Sequence, residues 1–366
     1  MTVPLRWRQL AAPLWLVACA PPPDPGPPAR SFAPELRLDQ VREPVSLGIG
    51  PGAARPTVAV QGGTGEALVL VPTTDPAVQL VRLGVDGDAW AAHRVDAHVD
   101  GALTATPEGW LVAITTDVML STVPVDHQGH PVDDPRPLTL LHPLQPDIAR
   151  LGDGMPLLLS RSDRAFACIV YGDGVLDVWG RPCAEPVDPA AELGRATLAT
   201  DDMAFGIAWA ETRDGSVSTY VATEFGAVAL PPEPGGLAAP DLVIHGDAGL
   251  VTGSSATEGW LQAFEGSERG ERWILGSGSR PVVDAAGDQA IVAWVDGGTL
   301  WAQPRAVRGG EPLADPAPIR EDLDAEAFDI DIARVGTELH AVVVWSGPDD
   351  VVALQLRWAD IPSAEP

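Results

Sequence analysis

The chain has 366 residues, 45% of them apolar, enough for one large core or two ordinary ones. Its 51 acidic residues face 23 basic ones, all of them arginine, for a formal charge of −28. A field of that sign repels nucleic acid and anionic headgroups, and the lack of lysine excludes P-loop phosphate binding and Schiff-base catalysis.

In chain order, Arg6 and Arg8 precede an apolar stretch from Leu10 to Ala18 that is too short to span a bilayer, so residues 1–18 are expected to be a signal peptide. The stretch ends in Leu16-Val17-Ala18-Cys19, which resembles the bacterial lipobox. That resemblance implies acylation of Cys19, which becomes the new N-terminus after cleavage, and a membrane partner reached through several acyl chains. Cleavage removes Arg6 and Arg8 and moves the formal charge from −28 to −30. Residues 19–34 continue as APPPDPGPPAR and a short remainder, a stiff proline-rich tether. Its eleven proline-rich residues reach on the order of 35 Å from the lipid surface. Ala20 stands where an aspartate favours inner-membrane retention in such lipoproteins, so an outer-membrane location, periplasmic or surface-facing, is the expectation.

From residue 35 to 361 the chain reads as a repeat. Short apolar runs recur every 40 to 50 residues or so: ALVLV from Ala67, WLVAI from Trp110, PLLLS from Pro156, FGIAWA from Phe205, GLVTG from Gly249, AIVAWV from Ala290 and HAVVVW from His340. Gly, Asp, Thr or Pro bounds each run, and the continuous rather than alternating hydrophobicity predicts a strand covered on both faces. A short strand precedes each run, often after proline, as at Pro56, Pro146, Pro240 and Pro281. Turns such as Asp214-Gly215 and Asp296-Gly297-Gly298 follow, with further strands at 77–83, 217–223 and 299–305. A looser, proline-bearing outer strand closes each unit, where an unpaired edge tolerates proline.

This pattern resembles the β-propeller class as a whole, without the signature of a particular family. It predicts an all-β domain of seven four-stranded antiparallel blades at 56–98, 99–143, 144–193, 194–237, 238–279, 280–325 and 326–361. The last of these has only three strands of its own. Residues 35–49, ELRLDQVREPVSLGI, supply its missing outer strand and close the ring, and residues 362–366 are a tail. The competing architecture, two β-sandwiches, gives no reason for seven similar periods.

With Cys19 acylated, an oxidising compartment leaves Cys168 and Cys183 to form a disulfide, closing a loop of about 15 residues and adding roughly 3 kcal/mol. A hairpin turning at Gly172-Asp173-Gly174 puts Trp179 opposite Cys168, so the bend at Gly180-Arg181-Pro182 must carry Cys183 back.

No nucleophile elbow, zinc-protease helix or nucleotide loop occurs, so an enzyme is not expected. Metal candidates are weak. Asp126-His127-Gln128-Gly129-His130, followed by Asp133 and Asp134, offers imidazole and carboxylate ligands, with His127 and His130 on an exposed turn; His93 and His98 offer less. Asp147 and Asp241 share a place after proline, with Asp329 or Asp331 near it in the last repeat; together they suit a hard cation such as Ca2+ or simply polar contact with channel water. Trp209, Trp294 and Trp345 end equivalent runs and are expected to pack between blades, while Trp110 and Trp260 cover hairpins. The expectation is a monomeric, noncatalytic cell-envelope lipoprotein binding a protein, peptide or glycan partner. The alternatives are a secreted carbohydrate-active hydrolase or lyase and a calcium-dependent adhesion module.

Overall fold

The computed structural model describes residues 35–361 apart from 51, 53–54, 97–99, 117–118, 139–143, 151–155, 162–165, 173–174, 178–181, 185, 202–203, 237–238, 278–279, 322, 324–327 and 348. Cys19, the tether, His98 and the C-terminal tail therefore lie outside the described residues. Among the described residues there is no helix, and the strands form seven antiparallel sheets. Each sheet runs outward from an inner strand. The inner strands are Thr57–Val60, Asp100–Thr106, Leu144–Arg150, Glu192–Thr200, Asp241–His245, Val282–Ala286 and Phe328–Val335, in sheets numbered one to seven along the chain. Each lies against the inner strand of the next sheet, and the seventh lies against the first. This cyclic stack of sheets around an axis is a β-propeller.

The seven apolar runs all fall in second strands: Ala67–Pro72, Gly109–Thr115, Pro156–Arg161, Phe205–Arg213, Ala248–Ser254, Gln289–Asp296 and Glu338–Ser346. A second strand is flanked within its sheet by the first and third strands and covered on both faces by adjacent sheets, so alternate residues enter different cores. Leu68 and Leu70 pack with Trp110 and Val112 of sheet two, while Val69 and Val71 pack with Val342 and Val344 of sheet seven. Two-faced burial is the reason these runs are continuously apolar.

Trp209, Trp294 and Trp345 are buried in cores shared by sheets three and four, five and six, and six and seven, respectively. In sheet five the run is interrupted by Gly253 because a Cβ there would stand 2.2 Å from Cζ2 of Trp260. The hairpin at Asp214-Gly215 has φ of 50° and 78° at its two central residues, the left-handed pair that matches strand twist.

The chain closes the ring where the third strand of sheet seven, Val351–Ile361, meets the N-terminal strand Glu35–Val41. These pair antiparallel from Glu35 opposite Ile361 to Val41 opposite Leu356, with a bulge after Leu38. Val45 and Ser46 extend the pairing opposite Ala353 and Val352. Ile49 then accepts from the Val351 amide, donates to Asp350 at 2.8 Å and buries its side chain among residues of sheets seven and one. One segment thus finishes the last sheet and leads into the first.

In sheet three, Val170 faces Asp177, and the strand Pro182–Ala184 returns beside Phe166 and Ala167. The backbone of Cys183 is thereby brought back to the strand that carries Cys168; the side chains of both cysteines lie outside the described residues.

Closure predicts a specific weakness. A chain lacking residues 1–46 is expected to unfold several degrees earlier than one lacking only 1–34, and to self-associate through the uncovered edge of Val351–Ile361. Equal thermal midpoints for the two truncations would show that the N-terminal strand contributes nothing to the ring.

Candidate functional site

An inner strand of a propeller has a partner on one side only. Its other edge faces the axis with unpaired N–H groups, which burial makes costly. In this chain aspartates of one sheet satisfy amides of the next. Asp147 of sheet three accepts from the Leu198 amide of sheet four at 2.7 Å, and Asp241 of sheet five from Val283 of sheet six at 3.1 Å. Asp284 of sheet six accepts from Ile332 of sheet seven at 2.6 Å. Sheet seven binds sheet one twice, Asp329 accepting from Val58 at 3.2 Å and Asp331 from Val60. The Thr197 hydroxyl of sheet four stands 2.9 Å from Asp147 and 3.3 Å from Asp241, and its single proton serves one at a time.

These residues line a cavity of about 270 Å³ on the axis, to which all seven inner strands contribute. One of its ends is ringed by charge. Every sheet supplies one ionisable residue, on its inner strand or up to two residues before it, to a mutually interacting cluster: Arg55, Asp100, Asp147, Arg195, Asp241, Arg280 and Asp329, of which Arg55, Asp147, Asp241 and Asp329 line the cavity itself. Arg55 lies 3.4 Å from Asp329, with both side chains largely buried. Burial opposes the Arg55 charge, but Asp329, Asp241, Asp147 and Asp100 outweigh it and raise its pKa. Burial raises Asp100, Asp147 and Asp329, in each case against the pull of the arginines. Burial, reinforced by the neighbouring arginines, pushes Arg195 down and Arg280 well down. A guanidinium keeps its proton regardless. Nε and Nη1 of Arg55 and Nε and Nη2 of Arg280 are buried with no hydrogen-bond partner.

Deeper along the axis, Asp284 and Asp331 form a hydrogen-bonded pair. Burial raises Asp284 to about 6; burial and the adjacent Asp284 charge raise Asp331 well above the usual range, so the pair shares one proton. They occupy equivalent registers, facing Ile291 and Val342 on their second strands, each three residues before the tryptophan that ends the run.

The remaining candidates lie elsewhere. His127 and His130 are on an exposed turn, where Asp126 accepts from the amides of Gln128 and His130 at 2.9 Å, and the His127 ring meets Trp110 edge-on. His93 is exposed. Among the described residues no group of three or more His, Cys, Asp or Glu side chains is placed to hold a metal ion. Asp147, Asp241, Asp329 and Asp331 do converge on one cavity, but with arginines interleaved and amide hydrogens already on their oxygens. Trp110 and Trp260 are almost fully buried, the latter under the Arg272 guanidinium at 4.5 Å. Sequence inspection missed Arg55, Asp100, Arg195, Arg280 and Asp284; their recurrence at the start of each repeat was the available signal.

No family model matches the sequence, and no curated protein matches it. Solved structures do resemble the fold. BP39L lectin from Burkholderia pseudomallei is 12% identical with a TM-score of 0.62, covering 86% of this chain and 97% of its own. A structure of BBS1N in complex with ARL6DN is 12% identical at a TM-score of 0.52, covering 91% and 99%. An arginine-substituted variant of AofleA from Arthrobotrys oligospora is 11% identical at 0.51, covering 88% and 86%. At these identities the likeness is one of fold.

Two predictions follow from the ring of carboxylates. Asp147→Ala leaves the buried Leu198 amide without its acceptor and is expected to cost about 1–3 kcal/mol in denaturant unfolding; a loss below about 0.5 kcal/mol would place that amide in contact with water. The second concerns pH. The folded-state pKa values of Asp284 and Asp331 are raised, so their contribution is fully present below about pH 4 and is lost as pH rises through about 6 and beyond. The thermal midpoint is expected to fall by roughly 5 °C between pH 5 and 8, and Asp331→Asn, which keeps a neutral donor, to flatten that slope. A flat wild-type profile, or an unchanged slope in the variant, contradicts the shared proton.

Proposed function

We propose that the chain is an exported lipoprotein, acylated on Cys19 and held off a cell-envelope membrane by residues 19–34, outer membrane favoured. In this reading the seven sheets are the seven blades of a propeller that serves as a noncatalytic binding or scaffold module for a protein, peptide or glycan. The observation that carries the noncatalytic reading is the state of the cavity carboxylates. Each of the five already accepts from a neighbouring strand's amide, and Asp329 also faces a guanidinium. Glu211, the buried carboxylate of sheet four, is likewise occupied by the amides of Val187 and Asp188 and the Trp209 indole. A glycosidase needs carboxyl groups about 5 to 10 Å apart across a sugar. Asp284 and Asp331 touch each other instead; Asp147 and Asp241, bridged by the Thr197 hydroxyl, are both engaged by strand amides; and no tryptophan among the described residues lines the cavity.

The disulfide between Cys168 and Cys183 belongs to the same proposal, since an exported domain meets oxidising conditions. Crosslinking in intact envelopes, followed by identification of attached molecules, tests the module. A reproducible protein or glycan adduct is expected with the acylated chain, and Cys19→Ala is expected to move the protein from the membrane to the soluble fraction. Retention of Cys19→Ala in the membrane would overturn the anchor, and hydrolysis of a polysaccharide by the purified chain would overturn the noncatalytic reading.

A further inference from the structure

We propose that the charged end of the axial cavity binds one monosaccharide-sized, polyhydroxylated molecule that carries no negative charge. This rests on the reading of the propeller as a binding module and names a ligand class and place for it.

Three observations converge. Arg55 lines the cavity with a side chain more than nine-tenths buried; its Nη1 faces Asp329 at 3.4 Å without hydrogen-bond geometry, and its Nε has no acceptor. Arg280, in the same charged cluster, has Nε and Nη2 unpartnered, the two atoms that form the side-on fork of a guanidinium. Asp147 and Asp241 each accept two amide hydrogens and share the Thr197 hydroxyl, and Asp329 accepts one amide beside Arg55, yet a carboxylate has about four acceptor sites and these are only partly used. The hydrogen-bonding capacity left over is therefore of both kinds: a donor on Arg55 and acceptors on the aspartates that line the void, with the Arg280 donors in the same charged cluster.

Charge selects among the molecules that offer both kinds. The ring holds four aspartates and three arginines, so an added anion meets an excess of like charge, and the Asp284–Asp331 pair behind it adds one more. A hydroxyl accepts from guanidinium and donates to carboxylate without adding charge, and adjacent hydroxyls on a ring do both at neighbouring positions. Volume limits the size: about 270 Å³ is slightly under the roughly 300 Å³ at which small-ligand pockets begin, enough for a single ring and not for a chain. Among the described residues no aromatic side chain lines the cavity, so recognition runs through hydrogen bonds and the affinity is modest. Water, at about 30 Å³ per molecule, is the competing occupant.

The test is saturation-transfer NMR and calorimetry on the purified full chain. The probes are neutral hexoses, the matching amino sugars and the matching uronic acids. At least one neutral or amino sugar is expected to bind saturably, with its uronic acid weaker by about tenfold or more. Arg55→Lys keeps the charge and removes the unpartnered Nε donor, and is expected to weaken binding about tenfold. Asp329→Asn keeps the shape and removes one negative charge, and is expected to narrow the discrimination against the uronic acid, a change that a purely structural role would not produce. No saturable binding of any monosaccharide overturns the site, as does preference for the uronic acid or binding unaltered in both variants. A partner captured in the envelope, with no monosaccharide bound, would sink this site and leave the binding module standing. The absence of both would sink the two together.

Discussion

The fold depends on satisfying the inner edge of the innermost strands. Seven sheets around an axis leave seven strand edges facing one another at a spacing too wide for a closed ladder and too narrow for bulk water. The chain resolves this with side chains. Aspartates on sheets three, five, six and seven reach the amides of the next sheet, with Thr197 bridging four to five. The Gln61 amide, just after the inner strand of sheet one, donates to the Thr106 carbonyl of sheet two at 2.9 Å. Apolar contacts hold neighbouring sheets face to face; these polar contacts fix how they meet at the axis.

The same requirement explains the arginines. Several desolvated carboxylates repel one another, and a ring of aspartates alone would bind protons. Arg55, Arg195 and Arg280 are spaced round the ring so that every one has an aspartate from an adjacent sheet beside it in the cyclic order. Where no arginine intervenes, at Asp284 and Asp331, a proton does that work instead. The cavity is thus held together by opposite charges in low dielectric, an arrangement that is stable when every partner is present and costly when one is missing. The buried guanidinium hydrogens left without acceptors are the place where that accounting stays incomplete.

Much of the architecture was legible because it rests on local burial. A strand hidden on both faces must be apolar at successive positions, so ALVLV and AIVAWV announced second strands, and the Gly and Asp turns between them marked the hairpins. The outer strand of the last sheet was legible by counting, since 35–49 began no repeat of its own. The site was less so. Asp147, Asp241, Asp329 and Asp331 were visible as polar residues at the starts of inner strands. Their partners were not, because the same structural place is filled by arginine in sheets one, four and six, and opposite charges look unrelated until the ring closes. Asp284 escaped notice for another reason: its equivalence to Asp331 appears only when the two strands are set in register against Trp294 and Trp345.

The most direct measurement of this account is native-state hydrogen exchange of five backbone amides, Val58, Val60, Leu198, Val283 and Ile332. If aspartates of the adjoining sheets hold the axis, these amides belong to the slowest-exchanging class and open only with the whole domain. Exchange at the rates of open strand edges, while second-strand amides stay protected, would contradict it.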